Sequence, residues 1–312
     1  MKSKNIFEFD ISPDDQLRLD QILSKELPEY SRSRIQKWIK DKKLLVNGQE
    51  CLSKDKIKEV SKVEIEMNED EEIDVSPEDI KLDIIFEDDT LLVVNKYSGM
   101  VTHTAVGNYS GTLQNALLYY DPRLRKLPRA GIIHRLDKQT SGALIVCKNL
   151  KSQFILSKLM QERRISKKYI AVVSGSLKST LIIDKPIRRH RVNRKKMIVD
   201  ENGKNAKTII HSSIYKEHVS ILDIEIITGR THQIRVHLSD LGHPVLGDKL
   251  YGYKHNKLKK YGKLQQYMEN FDGIALHAYY LKFKHPFDGK DIEIECLPGD
   301  AFNVIRSLAL EK

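Results

Sequence analysis

At 312 residues the chain exceeds one typical domain, so two domains and a sizeable core are expected. A hydrophobic share of 40% against 31% charged residues describes a globular protein, and no run of about 18 apolar residues exists that would span a membrane as a helix. The net charge of +10 points to an anionic partner.

The start, MKSKNIFEFD, lacks the apolar region of a secretory signal, which makes the cytoplasm the expected location. Leu19, Ile22, Leu23 and Leu27 then fall on one helical face, and Pro28 stops that helix. Ser31 fits the N-cap of a second helix whose apolar face is Ile35, Trp38 and Ile39. Leu44-Leu45-Val46 reads as a strand entering an Asn47-Gly48 hairpin turn. The outer face of the second helix carries Arg32, Arg34, Lys37 and Lys40, an array that can meet successive phosphates with little sequence choice. RLDQIL, SRSRIQKWI and LLVNG together resemble the S4 RNA-binding domain, although the residues alone suit a generic basic helical hairpin equally well. Trp38, in register with Ile35 and Ile39, is expected in the core rather than as a platform for bases. From Glu64 to Ile80 nine acidic residues occur without a basic one, as in an interdomain linker. The expected division is an RNA-binding module over 1–67, an acidic linker over 68–80 and a catalytic domain over 81–312.

Ile84 to Lys96 reads as strand, acidic turn and strand, and Gly111 to Tyr119 as a short helix with Leu113, Ala116 and Leu117 on one face. The densest stretch follows: Ala130 to Lys148, AGIIHRLDKQTSGALIVCK. Its apolar runs, Gly131-Ile132-Ile133 and Ala143 to Cys147, are too short for helices and are expected as strands around a polar loop. That loop sets one carboxylate, Asp137, among His134, Arg135 and Lys138. Nearby positive charge favours an ionised acid, as a nucleophile or general base requires, yet Asp-Lys-Gln-Thr-Ser-Gly also has the composition of an ordinary turn.

Lys151 to Arg163 has helical spacing, with Phe154, Leu156, Leu159 and Met160 on its apolar side. Between Arg163 and Lys196 stand twelve Lys or Arg, Arg188 and Arg189 among them, against one acid, Asp184. This is a candidate surface for a polyanion. Within it, Ile165 to Val173 reads as a strand entered by two lysines and Tyr169. Ile221 to Ile227 alternates as a strand, Gly229 turns the chain, and a helix is expected near Thr231 with Arg235 and Val236 inward. Read generically, Arg230 and Arg235 are surface cations or salt-bridge partners. Lys254 to Gly273 suggests a polar insertion or exposed helix, and Leu276 to Pro286 a closing strand. Cys51, Cys147 and Cys296 suit reduced thiols, and with His232 and His237 five apart, off a common helix face, no metal is expected.

His134-Arg135-Leu136-Asp137, followed by Thr140-Ser141-Gly142, resembles the signature of the RluA-type pseudouridine synthases. Two further motifs of that family occur in the same order. Asn95-Lys96 resembles the first, with Tyr97 in a position usually held by proline and His103-Thr104 in place of His-Pro. Thr228 to His237, with Gly242-His243-Pro244 and Gly247-Asp248 before Tyr251-Gly252, resembles the third. With the S4-like start, the resemblance spans nearly the whole chain and points to the group acting on the large ribosomal subunit. It implies an α+β fold, a mixed, largely antiparallel sheet with flanking helices, preceded by a small α/β S4 RNA-binding domain. It implies Asp137 as catalytic residue, Tyr169 stacked on the target base and placed for proton transfer, and Arg235 paired with Asp137. Arg135 would enter the space the base vacates, and RNA contacts are expected from His134, Arg135, Arg230, Arg188, Arg189, Arg32, Arg34 and Lys37.

The implied reaction converts uridine to its C-glycoside isomer. No atom or electron is exchanged overall, so no cofactor is expected. The expected partner is large-subunit rRNA on pre-ribosomal particles, with the helix 69 stem-loop of 23S rRNA as the first choice of site, and the chain is expected as a monomer. A non-catalytic RNA-binding assembly factor would be marked by loss of Asp137, Tyr169 or Arg235, and all three are present. A hydrolase using Asp137 would need an activated water and a second acid or metal, for which no partner motif stands out.

Overall fold

The computed structural model describes residues 5–14, 16–28, 30, 32–67, 75–104, 108–178, 180–254, 258 and 262–311. Strand β1 (Asn5–Ile11) precedes helices α1 (Leu19–Glu26) and α2 (Arg32–Lys40), followed by β2 (Leu44–Val46), β3 (Gln49–Glu50) and β4 (Ser61–Met67). The four strands form one sheet in the order β1-β4-β2-β3. Asn47 and Gly48 both take positive φ, 51° and 73°, the backbone of a two-residue hairpin turn. Leu19, Leu23, Leu27, Ile35 and Trp38 close over the sheet as a small core. Trp38 is 1% exposed and packs edge-on against Tyr30 at 4.6 Å, a core residue as expected. The N-cap read at Ser31 lies outside the described residues.

Strand β1 has no counterpart in the sequence reading, and β4 absorbs Glu64 and Glu66, which composition assigns to the acidic segment. In β4 the alternation decides: Val63 and Ile65 are buried while the glutamates point outward. Residues 75–80, placed in the linker by composition, lie against the larger domain. Val75 is buried in its core, the Asn115 amide donates to the Ser76 carbonyl at 2.8 Å, and the Gly111 N–H donates to the Glu78 carboxylate at 3.0 Å.

Asp20 is wholly buried in the small module, its Oδ2 accepting from Gln36 at 2.6 Å, Arg32 at 2.8 and 3.0 Å, and Arg18 at 3.2 Å. Burial by itself would raise its pKa, but these donors win and hold the carboxyl below its ordinary 3.8. A depressed native pKa stabilises the fold above the unfolded value and ceases to do so as pH falls through the native one. Below about pH 3.8 the module is therefore expected to lose stability. Fluorescence of Trp38, the single tryptophan, reports this loss, and Asp20→Asn should flatten the acid limb.

The larger domain is built on nine strands. They are β5 (Ile84–Glu87), β6 (Leu91–Lys96), β7 (Ser141–Cys147), β8 (Ser166–Ser174), β9 (Leu181–Asp184), β12 (Lys207–Lys216), β13 (Val219–Ile226), β14 (Leu276–Lys284) and β15 (Asp291–Glu295). A separate basic hairpin, β10 (Ile187–Arg189) and β11 (Met197–Val199), stands apart from them. The large sheet runs β5-β6-β7-β14-β8-β13-β12-β9, with β15 on β14. Only β7 and β14 pair in parallel among the described strands, so the sheet is mixed and largely antiparallel, as expected. Helices α3 (Leu113–Tyr120), α4 (Leu150–Gln161), α5 (Gln233–Asp240), α6 (Gly262–Asn270) and α7 (Asp300–Leu310) flank it.

Two local readings need correction. Gly131-Ile132-Ile133 is not a strand: Arg129 and Ala130 hold φ of 52° and Gly131 holds 79°, a left-handed turn that leaves Ile132 with a single bridge to Val146. Helix α4 is apolar on two sides. Leu156 and Leu159 face the sheet, whereas Phe154 packs on Phe7 and Phe9 of β1 at 5.5 and 5.6 Å, and the Gln161 amide donates to the Lys25 carbonyl at 2.7 Å. Helix α4 thereby joins the two domains.

Gly142 sits where the parallel pair meets, at φ 117°, and a Cβ there would land on the Ala278 backbone. Strain and overlap act together, so Gly142→Ala is expected to cost about 3 kcal/mol or more, measured by urea unfolding.

Candidate active site

The strands at the middle of the sheet carry the site. Asp137 lies on the loop leading into β7, where the Thr140 N–H donates back to its carbonyl at 3.1 Å. Lys96, at the end of β6, is 1% exposed, and its ammonium donates to the carbonyls of Tyr97, Met100 and Lys138 at 3.0, 2.9 and 3.2 Å. Burial pushes its pKa down to about 7 against the pull of Asp137. Three N–H bonds meet three carbonyls, so the arrangement matches the charged form, and it pins the residue next to Asp137.

Arg235, in the first turns of α5, reaches Asp137 from the other side. Its Nη1 donates to Asp137 Oδ2 at 3.0 Å, while Nε and Nη2 donate to the two oxygens of Asp248 at 2.7 and 3.0 Å. Asp248 is 1% exposed, so the guanidinium is held rigidly by a buried fork and offers its remaining edge to Asp137. The Tyr251 ring lies 4.9 Å under the guanidinium carbon.

His232 enters α5 with a left-handed φ of 57° and faces Asp137 Oδ1 at 3.8 Å. Tyr251 accepts the Met197 N–H at 2.9 Å, and its hydroxyl is hydrogen-bonded to His232 Nδ1 at 2.7 Å. Burial keeps this imidazole below its usual pKa, despite Asp137, and therefore neutral.

Tyr169, on β8, is 7% exposed. Burial first, and then the charge of Asp137, hold its phenol well above the usual range. Asp137, Tyr169 and Arg235 line one pocket together with Arg135, Arg230 and the apolar side chains Ile226, Ile234 and Leu276. Thr140 Oγ1 is buried at the same pocket without a hydrogen-bond partner.

The remaining expected residues divide. Arg135 is exposed at the pocket mouth, and Arg230 lines the mouth while its Nε donates to the Asn205 carbonyl at 3.0 Å. His134 does not supply a cation: its Nε2 accepts the Ile145 N–H at 2.9 Å, and burial, then Lys167, push it down to about 3. Arg32 is committed to Asp20, and Arg188 to Asp200 at 2.6 Å. Arg189 donates to the Arg194 carbonyl at 2.5 Å, Lys37 is exposed on α2, and Arg34 lies over the rings of Tyr30 and Trp38 at 5.6 and 5.3 Å. The sequence reading missed Asp248, Tyr251 and His232 as site groups, although all three stand inside the quoted third motif. Among the described residues no cluster suited to a metal ion occurs, and no helix is long and apolar enough to cross a membrane.

Comparison with known proteins gives the family. The RNA pseudouridylate synthase family matches residues 90–240, and the S4 domain matches 17–60. The ribosomal large subunit pseudouridine synthase D of Salmonella typhimurium is 41% identical over 299 residues, covering 93% of this chain and 90% of the relative. The same-named protein of Neisseria meningitidis serogroup A is 40% identical over 307 residues, covering 94% and 79%. Among solved structures, human RNA pseudouridylate synthase domain containing 1 is 29% identical with a TM-score of 0.55, covering 73% of this chain and 87% of that one. Matched along nearly its full length and built around this pocket, the chain belongs to the RNA pseudouridylate synthase family and is an RNA pseudouridine synthase with an S4 domain ahead of the synthase fold.

Proposed function

We propose that this synthase isomerises specific uridines of large-subunit rRNA, with the helix 69 stem-loop of 23S rRNA as its site and Asp137 as the catalytic residue. The observation that carries the role of Asp137 is its place: a carboxylate on the pocket floor, held by Arg235 from a buried Asp248 fork. The large-subunit assignment rests on the names of the relatives.

A uridine in folded RNA reaches such a pocket only by leaving its stack, at a cost of a few kcal/mol. Stacking on the Tyr169 ring returns about 1 to 3 kcal/mol, and Arg135 at the pocket mouth fills the gap left behind. Asp137 then acts at the ribose, the N1–C1′ bond breaks, and the uracil turns within the closed pocket. C5 bonds to C1′, the C5 proton leaves to solvent, and N1 ends with a proton. Tyr169, kept as a neutral phenol by burial, serves as platform and proton donor rather than as a base. Lys37 and Arg34 of the S4 domain and Arg189 and Arg230 of the catalytic domain hold flanking RNA. Residues 1–67 act as the RNA-binding module, 68–74 as the acidic connection and 75–312 as the catalytic domain, working as a monomer on pre-ribosomal particles in the cytoplasm.

Mapping decides the substrate. Rebuilding pseudouridine in 23S rRNA from a strain lacking this protein, then marking it with carbodiimide before primer extension, is expected to give stops in that stem-loop. Stops confined to other rRNA sites or to tRNA would contradict the assignment.

A further inference from the structure

Beside the uridine pocket runs a second groove, from the catalytic loop to the end of α4. It is lined by Arg129, Arg135, Arg163, Lys167 and Arg230, and among the described residues no carboxylate lines it. Lys167 is the unusual member. It is 8% exposed, and among the described residues its ammonium has one partner, the Met160 sulfur at 3.2 Å. A thioether is a weak acceptor, so a buried cation is left with almost nothing to compensate its lost hydration. Burial correspondingly depresses its pKa to about 8. Arg129, another lining residue, holds a left-handed φ of 52°, a strained backbone of the kind retained where function needs it. Lys167 and Tyr169 are two apart on β8, so both side chains stand on the same face of the strand, about 7 Å apart along it.

We propose that Lys167, with the arginines around it, forms a phosphate site that grips one backbone phosphodiester flanking the flipped uridine. This deepens the reading of Tyr169 as base platform and rests on it. With the base on Tyr169, the adjoining backbone passes over Lys167, and the phosphate supplies the counter-charge that the free protein lacks. The site uses the charge of the RNA backbone, so it takes any nucleotide at that position and sets register rather than sequence.

Binding is read without turnover, on a stem-loop RNA with a single unpaired uridine whose loop phosphates are replaced one at a time by uncharged methylphosphonates. For the wild type, one replacement next to the uridine should weaken binding about tenfold to a hundredfold. Lys167→Met should show a loss of that size with unmodified RNA, no further loss at that one position, and a salt slope shallower by about 0.7 to 0.9. Its melting temperature should be no lower than that of the wild type, because an uncompensated buried charge has been removed. Unchanged binding by Lys167→Met, full persistence of the methylphosphonate effect in it, or a lower melting temperature would each overturn the proposal. Wild-type turnover of the same RNA is scored separately, so a protein that binds in this way without isomerising uridine counts against the proposed activity alone.

Discussion

Arg235→Met is expected to cost about 3 to 5 kcal/mol of stability, a fall of roughly 10 °C in melting temperature, and about 10²- to 10³-fold in turnover. The guanidinium is 7% exposed on its side chain and satisfies two carboxylates, one of them 1% exposed. Its removal leaves Asp248 buried without a counter-charge and Asp137 without its fixed donor, so both losses have one source. They can be separated. Changing Asp248 to Leu as well removes the orphaned charge, and the double variant should regain much of the stability while remaining inactive. Calorimetry and single-turnover rates on the three proteins check this, and recovery of activity with stability would show that the pair is only structural. Arg235→Lys should behave nearly as badly as Met, since one ammonium cannot supply a bidentate fork to Asp248 and a third bond to Asp137.

Much of this fold was legible because local pattern and tertiary role agree. Period-two alternation marked β13, β-branched and aromatic composition marked β8, and Asn47-Gly48 has the positive φ values that its dipeptide announced. The first strand was lost because Phe7 and Phe9 make their apolar contacts across a domain boundary, with Phe154, which no local window contains. Gly131-Ile132-Ile133 has strand composition, but the left-handed turn before it depends on close approach to the Cys147 backbone.

The site divides along the same line. Asp137, Tyr169 and Arg235 were readable from motif order, and the fold brings them to one pocket from a loop, a strand and a helix. Asp248 was printed in the third motif, yet its part depends on folding back thirteen residues onto Arg235. Charge runs misled in the other direction: Arg32 and Arg188 look alike with their neighbours in sequence, and only the structure gives them Asp20 and Asp200 as partners. Lys167 was hidden in the same run, because burial without a counter-ion is a property of its surroundings.

Asp137→Asn is expected to lower turnover on the order of 10⁴-fold or more while leaving fold and RNA binding little changed. The amide keeps the size of the side chain, its oxygen can still accept from Arg235, and Asp248 still holds the guanidinium through two bonds. What is lost is the negative charge, which is the property that attack on C1′ or removal of a ribose proton requires. The direct measurement is release of tritium from rRNA labelled at uridine C5, taken from cells lacking this protein, with wild type and Asp137→Asn compared at equal RNA occupancy. Release by the wild type and none by the variant is the predicted result; equal release by both would contradict a catalytic Asp137.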